Sequence, residues 1–245
     1  MNWKKTAFIA FNMLLAAYMA MAFTIFNKPD EEMVCKDLDI SIEKGVVDGF
    51  LTEKDVRHML QLDAISPMGQ SMESIDLRLI EETLKGKELI ENAECYKGQQ
   101  GIVCMNIRQR IPVVRVMNNA GEDYCVDSHG KPMPRTDYSC NLIIATGNIS
   151  KQYAEKCLAP LSNIILANPF WKYQVVQLNV LGDGSVEIIP RIGGHVIYLG
   201  QPVGAKDKLD RMTKFYRYGL KVAGWNKYSR ISVEFDNQIV CKRNK

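Results

Sequence analysis

The hydrophobic pattern changes period several times along the chain, and each change marks an element. From Thr6 to Asn27 no position is charged, and Phe, Ile, Leu, Met, Ala and Tyr predominate, directly behind Lys4 and Lys5. A helix needs about 20 mostly apolar residues to cross the hydrocarbon core, so 6–27 is expected to form a single transmembrane helix. Basic flanks stay in the cytoplasm, which makes 1–5 a cytoplasmic tail and places the bulk of the chain outside. A cleaved secretory signal is the competing reading, with Ala20-Met21-Ala22 as an A-x-A site. Such a signal has an apolar core of about 7 to 15 residues, whereas this run continues through Phe23, Ile25 and Phe26. Either reading exports the remainder.

Beyond the acidic Asp30-Glu31-Glu32, the segment Leu38-Asp39-Ile40-Ser41-Ile42-Glu43 alternates with the period of a half-buried strand. Thr52-Glu53-Lys54-Asp55 has the form of a capping box with Asp in place of Glu, opening a helix through Val56, Met59 and Leu60. A second helix is expected from Ser71 or Ser74 to Lys85, burying Ile75, Leu79, Ile80 and Leu84, with Gly86 as its stop. The period then returns to two over 90–96 and 102–109, around Gly98-Gln99-Gln100-Gly101, with Val103, Met105 and Ile107 on one face. The order is β-α-α-β-β, over 33–112.

From 113 to 245 strands dominate: Val113–Met117, Tyr124–Val126, Asn141–Ala145, Tyr173–Leu181, Val186–Arg191 and His195–Leu199. Gly182-Asp183-Gly184-Ser185 and Asp127-Ser128-His129-Gly130 read as turns. Two amphipathic helices, about 150–167 and 205–222, are expected to pack on the sheet, the second through Leu209, Met212, Phe215 and Tyr216. Ile231 to Phe235, a turn at Asp236-Asn237, and Gln238 to Lys242 form a closing hairpin. The fold class is α+β: an N-terminal membrane helix, a small mixed domain and a sheet-rich C-terminal domain with packed helices.

Composition narrows the function classes. The 31 basic and 28 acidic residues give a net charge of +3 spread along 245 residues, which leaves no concentrated footprint for nucleic acid. Seven cysteines is an odd number for an exported chain, and they show no zinc spacing; no metal or cofactor is expected. With a two-residue turn at Gln99-Gln100, Cys95 and Cys104 fall opposite one another and can pair. The alternative is that each cysteine is a small buried hydrophobe, and a one-residue bulge would separate the pair. Of the three histidines, His129 sits in Asp127-Ser128-His129, which holds the residue types of a hydrolase triad. Three adjacent turn residues cannot point productively at one another, so a turn is expected. His58 lies inside a short helix, His195 begins a strand, and Trp171 and Trp225 read as core anchors. No G-x-S-x-G, P-loop or G-x-G-x-x-G pattern occurs.

The sequence of features resembles the FtsQ/DivIB family of bacterial cell-division proteins over essentially the whole chain. Ile107-Arg108-Gln109-Arg110-Ile111-Pro112-Val113 is similar to the family's step between its two exported domains, with Gln109 where an acidic residue is frequent. Val126-Asp127-Ser128-His129-Gly130 resembles its Val-Asp-x-x-Gly hairpin. Leu142-Ile143-Ile144-Ala145-Thr146-Gly147 resembles its Leu-Pro-x-x-x-Gly stretch without the proline, and Arg230 to Cys241 matches its closing hairpin. The resemblance implies that 33–112 is a POTRA domain and that the chain is a non-enzymatic, single-pass divisome scaffold in the cytoplasmic membrane at the division site. It further implies that the C-terminal domain binds FtsB/FtsL-type single-pass partners, with a contact region projecting onto Phe235, Asn237, Gln238, Ile239, Val240, Cys241 and Lys242.

A final strand paired on one side leaves N–H and C=O groups that a partner strand can satisfy. Lys242, Arg243 and Lys245 attract an acidic partner or, equally, guard the edge against aggregation. Two other function classes remain open: a POTRA-bearing export or assembly accessory of the envelope, and a secreted enzyme or ligand-binding protein.

Overall fold

The computed structural model describes residues 3–26, 33–43, 51–134 and 142–244. Helix α1 spans Trp3–Phe26. Among the described residues no helix is long and apolar enough to cross a membrane. The side chains of α1 are described only at Trp3 and over 8–23, so both ends of the expected span 6–27 lie outside the described side chains. Asp30-Glu31-Glu32, Cys140, Asn141 and Lys245 also lie outside the described residues.

The chain, α1 included, divides into two units, 1–43, 52–87 and 92–108 in the first, and 44–51, 88–91 and 109–245 in the second. The first contains β1 (Asp37–Ile42), α2 (Glu53–Leu62), α3 (Leu77–Lys85), β2 (Ile90–Lys97) and β3 (Ile102–Gln109), with the sheet ordered β1-β3-β2. Strand β1 runs parallel to β3 in a register from Asp37 opposite Ile102 to Ile42 opposite Ile107. The capping box forms: the Thr52 hydroxyl accepts from Asp55 N at 3.3 Å while the Asp55 carboxylate accepts from Thr52 N at 2.8 Å. Arg57 then ties α2 to β1 through Leu38 O at 2.6 Å. Val56, Leu60, Ile80, Leu84, Val103, Met105 and Ile107 are buried.

Helix α3 starts later than the pattern predicts. Ser71 pairs with Val34 in an isolated bridge and Met72 N bonds Met33 O, so this segment is extended; the helix begins only after Asp76, whose side chain caps Leu79 N. Leu79, expected in the core, is half exposed.

The β2–β3 turn also departs from expectation. Gly98 N bonds Ile102 O at 2.8 Å, and Gln100 and Gly101 both take positive φ (61° and 80°), which makes a three-residue loop. Counting back sets Tyr96, rather than Cys95, opposite Cys104, and their side chains interact. A one-residue slip sends a side chain to the other face. Cys95 accordingly sits beside Glu81 of α3, with burial pushing its thiol up to about 12, and both cysteines are free.

The second unit carries one mixed sheet ordered β12-β11-β10-β9-β8-β7-β4-β5-β6. Its strands are β4 (Pro112–Asn118), β5 (Asp123–Asp127), β6 (Pro132–Met133), β7 (Ile143–Gly147), β8 (Val175–Val180), β9 (Val186–Pro190), β10 (Val196–Gly200), β11 (Tyr228–Ser232) and β12 (Val240–Arg243). Strands β4, β7 and β8 are parallel neighbours, β10 and β11 are parallel, and the remaining neighbours are antiparallel. The first helical stretch comprises α4 (Lys151–Tyr153), a π-turn over Ala154–Leu158 and α5 (Ala159–Ala167). A short α6 (Trp171–Gln174) takes Tyr173 out of the strand expected there, because Asn168 Oδ1 accepts from Phe170 N and Trp171 N and starts a helical turn. The last stretch comprises α7 (Ala205–Lys214), a π-turn over Phe215–Leu220 and α8 (Lys221–Ala223).

Leu158, Leu161, Ile165, Leu209, Met212, Tyr216 and Leu220 meet Val114, Ala145, Leu178, Ile188, Ile197 and Ile231 in one core. Trp171 is fully buried and donates its indole N–H to Leu209 O and Thr213 Oγ1. Trp225 is instead more than a third exposed, because Gly224 breaks the helix before it and releases the chain toward β11.

Candidate partner-binding edge

Strand β12 is the terminal strand of the sheet and pairs only with β11 among the described residues, with Arg230 opposite Lys242, Ile231 opposite Cys241 and Ser232 opposite Val240. Val233 N donates to Tyr198 O on the β10 side of β11. Backbone direction alternates along a strand, so Arg230 and Ser232 address β12, and their partners Lys242 and Val240 point back at β11. It follows that the backbone groups of Cys241 and Arg243 face away from the sheet, where they meet no other strand among the described residues.

The closing strand starts two residues later than the sequence pattern suggests and includes Arg243. Phe235, Asn237 and Gln238 stand exposed in the preceding turn, where Asn237 takes a positive φ of 61°. Ile239 and Cys241 pack partly against the core, and burial raises the Cys241 thiol. Val240 and Lys242 are exposed. The seven projected residues therefore lie on one turn and the strand that follows it, with two chemically different sides.

What holds the turn comes from α7. The Arg211 guanidinium donates to Val233 O at 2.9 Å and Phe235 O at 3.0 Å, and lies 3.8 Å from the exposed Asp236 carboxylate. One helical turn earlier, Lys208 buries its ammonium against Leu199 O (3.1 Å) and Gln201 O (2.8 Å), and desolvation lowers its pKa. At the other end, Asn244 closes the hairpin with bonds to Lys227 O and Asn226 O. Sequence reasoning missed these three residues. The signal for Arg211 and Lys208 was a pair of cations spaced three apart beside the buried Leu209 and Met212, which reads as a solvated helix flank until the turn is placed above it. On the outward side of the sheet, Arg230 lies 4.2 Å from the Tyr198 ring and 3.2 Å from the Glu187 carboxylate, linking β9, β10 and β11.

The histidines are placed as follows. Asp127 is buried and its carboxylate accepts from Arg110 Nε (2.8 Å), His129 N (3.0 Å) and Lys131 N (2.8 Å). The His129 ring is exposed, with Nδ1 near Ser128 Oγ and the Glu91 carboxylate. A triad needs the imidazole between hydroxyl and aspartate, and here Asp127 orders the turn backbone instead. His195 is buried with Nε2 2.7 Å from the Tyr216 hydroxyl, and His58 is exposed. A polar cavity of ≈ 300 Å³ lies in the first unit between Ser41, Glu43, Asn92, Glu94, Asn106 and Arg108. Its Glu43 carboxylate is engaged by Arg108 at 2.9 Å.

Comparison with known families gives two matches. The family model for FtsQ/DivIB, C-terminal related, covers residues 111–242, more than half of the chain, and that for a POTRA-like domain covers 33–108. No curated protein matches the chain.

Proposed function

We propose, given that this chain belongs to the FtsQ/DivIB family, that it is a membrane-anchored, non-enzymatic scaffold of the bacterial division machinery, holding FtsB/FtsL-type single-pass partners by strand addition to β12. The observation that carries this reading is the position of β12: an edge strand whose outer backbone groups meet no other strand among the described residues, on a turn clamped from behind by Arg211. Strand addition gives affinity through main-chain bonds and specificity through alternate side chains, here the exposed Val240 and Lys242. On this reading 33–112 is the POTRA domain and 113–245 the partner-binding domain.

The anchor belongs to the same proposal. Over 8–23 the described side chains of α1 carry no charge, and Phe8, Leu14 and Phe23 are exposed without protein to cover them among the described residues. A helix of that kind is a buried core element or a membrane span. Tethering in the membrane of its partners raises their effective concentration, so a short edge interface suffices.

Arg243→Pro tests the edge. Proline removes an outward donor and is tolerated where a strand's N–H faces solvent, so the hairpin is expected to stay folded by circular dichroism while capture of the FtsB-type partner falls about tenfold or more relative to Arg243→Ala. Equal capture by the two variants would refute strand addition at this edge. Fractionation after alkaline carbonate extraction tests the anchor separately: the chain is expected to stay in the pellet with its N-terminus intact, and a mature protein beginning after Ala22 would overturn it.

A further inference from the structure

The charge along the last helical stretch is lopsided. Between Thr213 and Val233 stand Lys214, Arg217, Lys221, Lys227 and Arg230, with no aspartate or glutamate. The preceding α7 is mixed, with Asp207 and Asp210 among its cations. Inward positions of the stretch are occupied: Met212, Tyr216 and Leu220 are in the core, and Phe215 packs toward Tyr228. Outward, Tyr218 is 73% exposed and Val222, four residues on, 89% exposed, with the partly exposed Trp225 following. Lys214, Arg217 and Lys221 are exposed beside that row, at i, i+3 and i+7. None of Lys214, Arg217, Lys221 and Lys227 has a carboxylate partner among the described residues.

Like charges four apart, as Arg217 and Lys221 are, repel along a helix, and no carboxylate among the described residues compensates them. An aliphatic and aromatic row held in solvent between such cations is the pattern of a helix lying at a membrane surface: the apolar row enters the headgroup boundary and the cations meet anionic lipid. Tyr and Trp settle at that depth, and lysine and arginine stems cover apolar surface while their heads reach phosphate. An acidic protein would meet the cations equally well. The row favours lipid, because Tyr218 and Val222 stand in solvent on the helical surface, whereas apolar anchors at protein interfaces lie in well-packed, desolvated pockets.

We propose that the Lys214–Lys227 segment is a second membrane contact, recognising the headgroups of anionic phospholipids. It uses neither the β12 edge strand nor its turn but rests on the α1 anchor, and co-elution of the chain with the discs reports that anchor separately from the quenching of Trp225.

The test uses the full-length chain carrying Trp3→Phe, inserted in nanodiscs whose acyl chains are brominated, so that Trp225 is the tryptophan in reach of lipid while Trp171 stays buried. Trp225 emission is expected to be quenched in discs containing phosphatidylglycerol, far less in phosphatidylcholine alone, and to recover at about 1 M salt, where screening acts over about 3 Å. Each cation near an anionic surface contributes about fivefold, so R217A/K221A is expected to lower the ratio of contacting to free states about 30-fold. Partner capture through β12 should be unchanged. Equal quenching in both lipids, or none in either, would overturn the proposal. So would Trp225 burial that appears only when an acidic protein partner is added, which would assign the surface to protein instead.

Discussion

Replacing Arg211 with methionine keeps an aliphatic stem of similar length and removes the guanidinium that holds the turn before β12. Two hydrogen bonds are lost, to Val233 O and Phe235 O. Bonds to charged groups contribute about 1.5–3 kcal/mol each, but Phe235 lies in an exposed turn where water replaces the donor. The 3.8 Å contact to Asp236 adds little, because that carboxylate is almost fully exposed. The sum is about 2 kcal/mol, concentrated on 233–243 because the rest of α7 keeps its buried Leu209 and Met212. Hydrogen exchange of β12 amides is therefore expected to accelerate about 30-fold, while that of β8 at the sheet centre is unchanged. Capture of the FtsB-type partner should weaken in parallel, since an unfixed edge must be ordered on binding. Unchanged β12 exchange in Arg211→Met would refute the idea that α7 positions the edge; acceleration spread equally over β8 and β12 would show a general loss of stability instead.

Three further outcomes follow from the core and its turns. Asp127→Ala removes the carboxylate paired with the half-buried Arg110 guanidinium, which keeps three backbone acceptors, and leaves two turn amides without their acceptor; a loss of about 3 kcal/mol is expected, read as a lowered urea midpoint. Gly147 takes φ +105° and a Cβ there would run into Val180 O, so Gly147→Ala should abolish cooperative unfolding of the second unit in calorimetry. Burial depresses His195 below its ordinary 6.5, opposed weakly by the backbone of Trp225. The unfolded chain therefore takes up the proton first. The stability contribution is whole above about pH 6.5 and is lost as pH falls toward the folded-state value. Melting temperatures of wild type and His195→Phe should diverge in slope across that window, and parallel slopes would refute it.

Local signals were legible and long-range ones were not. Thr52 and Asp55 are three residues apart, and their reciprocal cap forms as the sequence pattern indicates. The β-α-α-β-β order and most strands before Gly200 likewise follow from period, whereas β6, two residues long, is too short to show one. The start of α3 was misread because Ser71 and Ser74 are equally good caps in isolation, and only the bridge to Val34, 37 positions away, removes them from the helix. The hairpin register turned on whether Gly101 belongs to the loop, a difference of one residue that decides which face Cys95 sees. At the candidate edge, the strand itself was visible as alternation, whereas its place at the end of the sheet depends on parallel pairings such as β10 with β11 that no local pattern encodes. Arg211 was invisible for the same reason: its acceptors lie 22 and 24 residues downstream.

The central claim is strand addition at β12, and site-specific photocrosslinking in membranes tests it most directly. A photoreactive residue in place of Lys242, whose side chain is exposed on β12, is compared with one in place of the exposed Pro132 on β6, the opposite edge of the same sheet. Crosslinks to an FtsB-type partner from position 242, and none from 132, are expected. Crosslinks from 132 alone, or equally from both, would contradict the assignment of β12 as the docking edge.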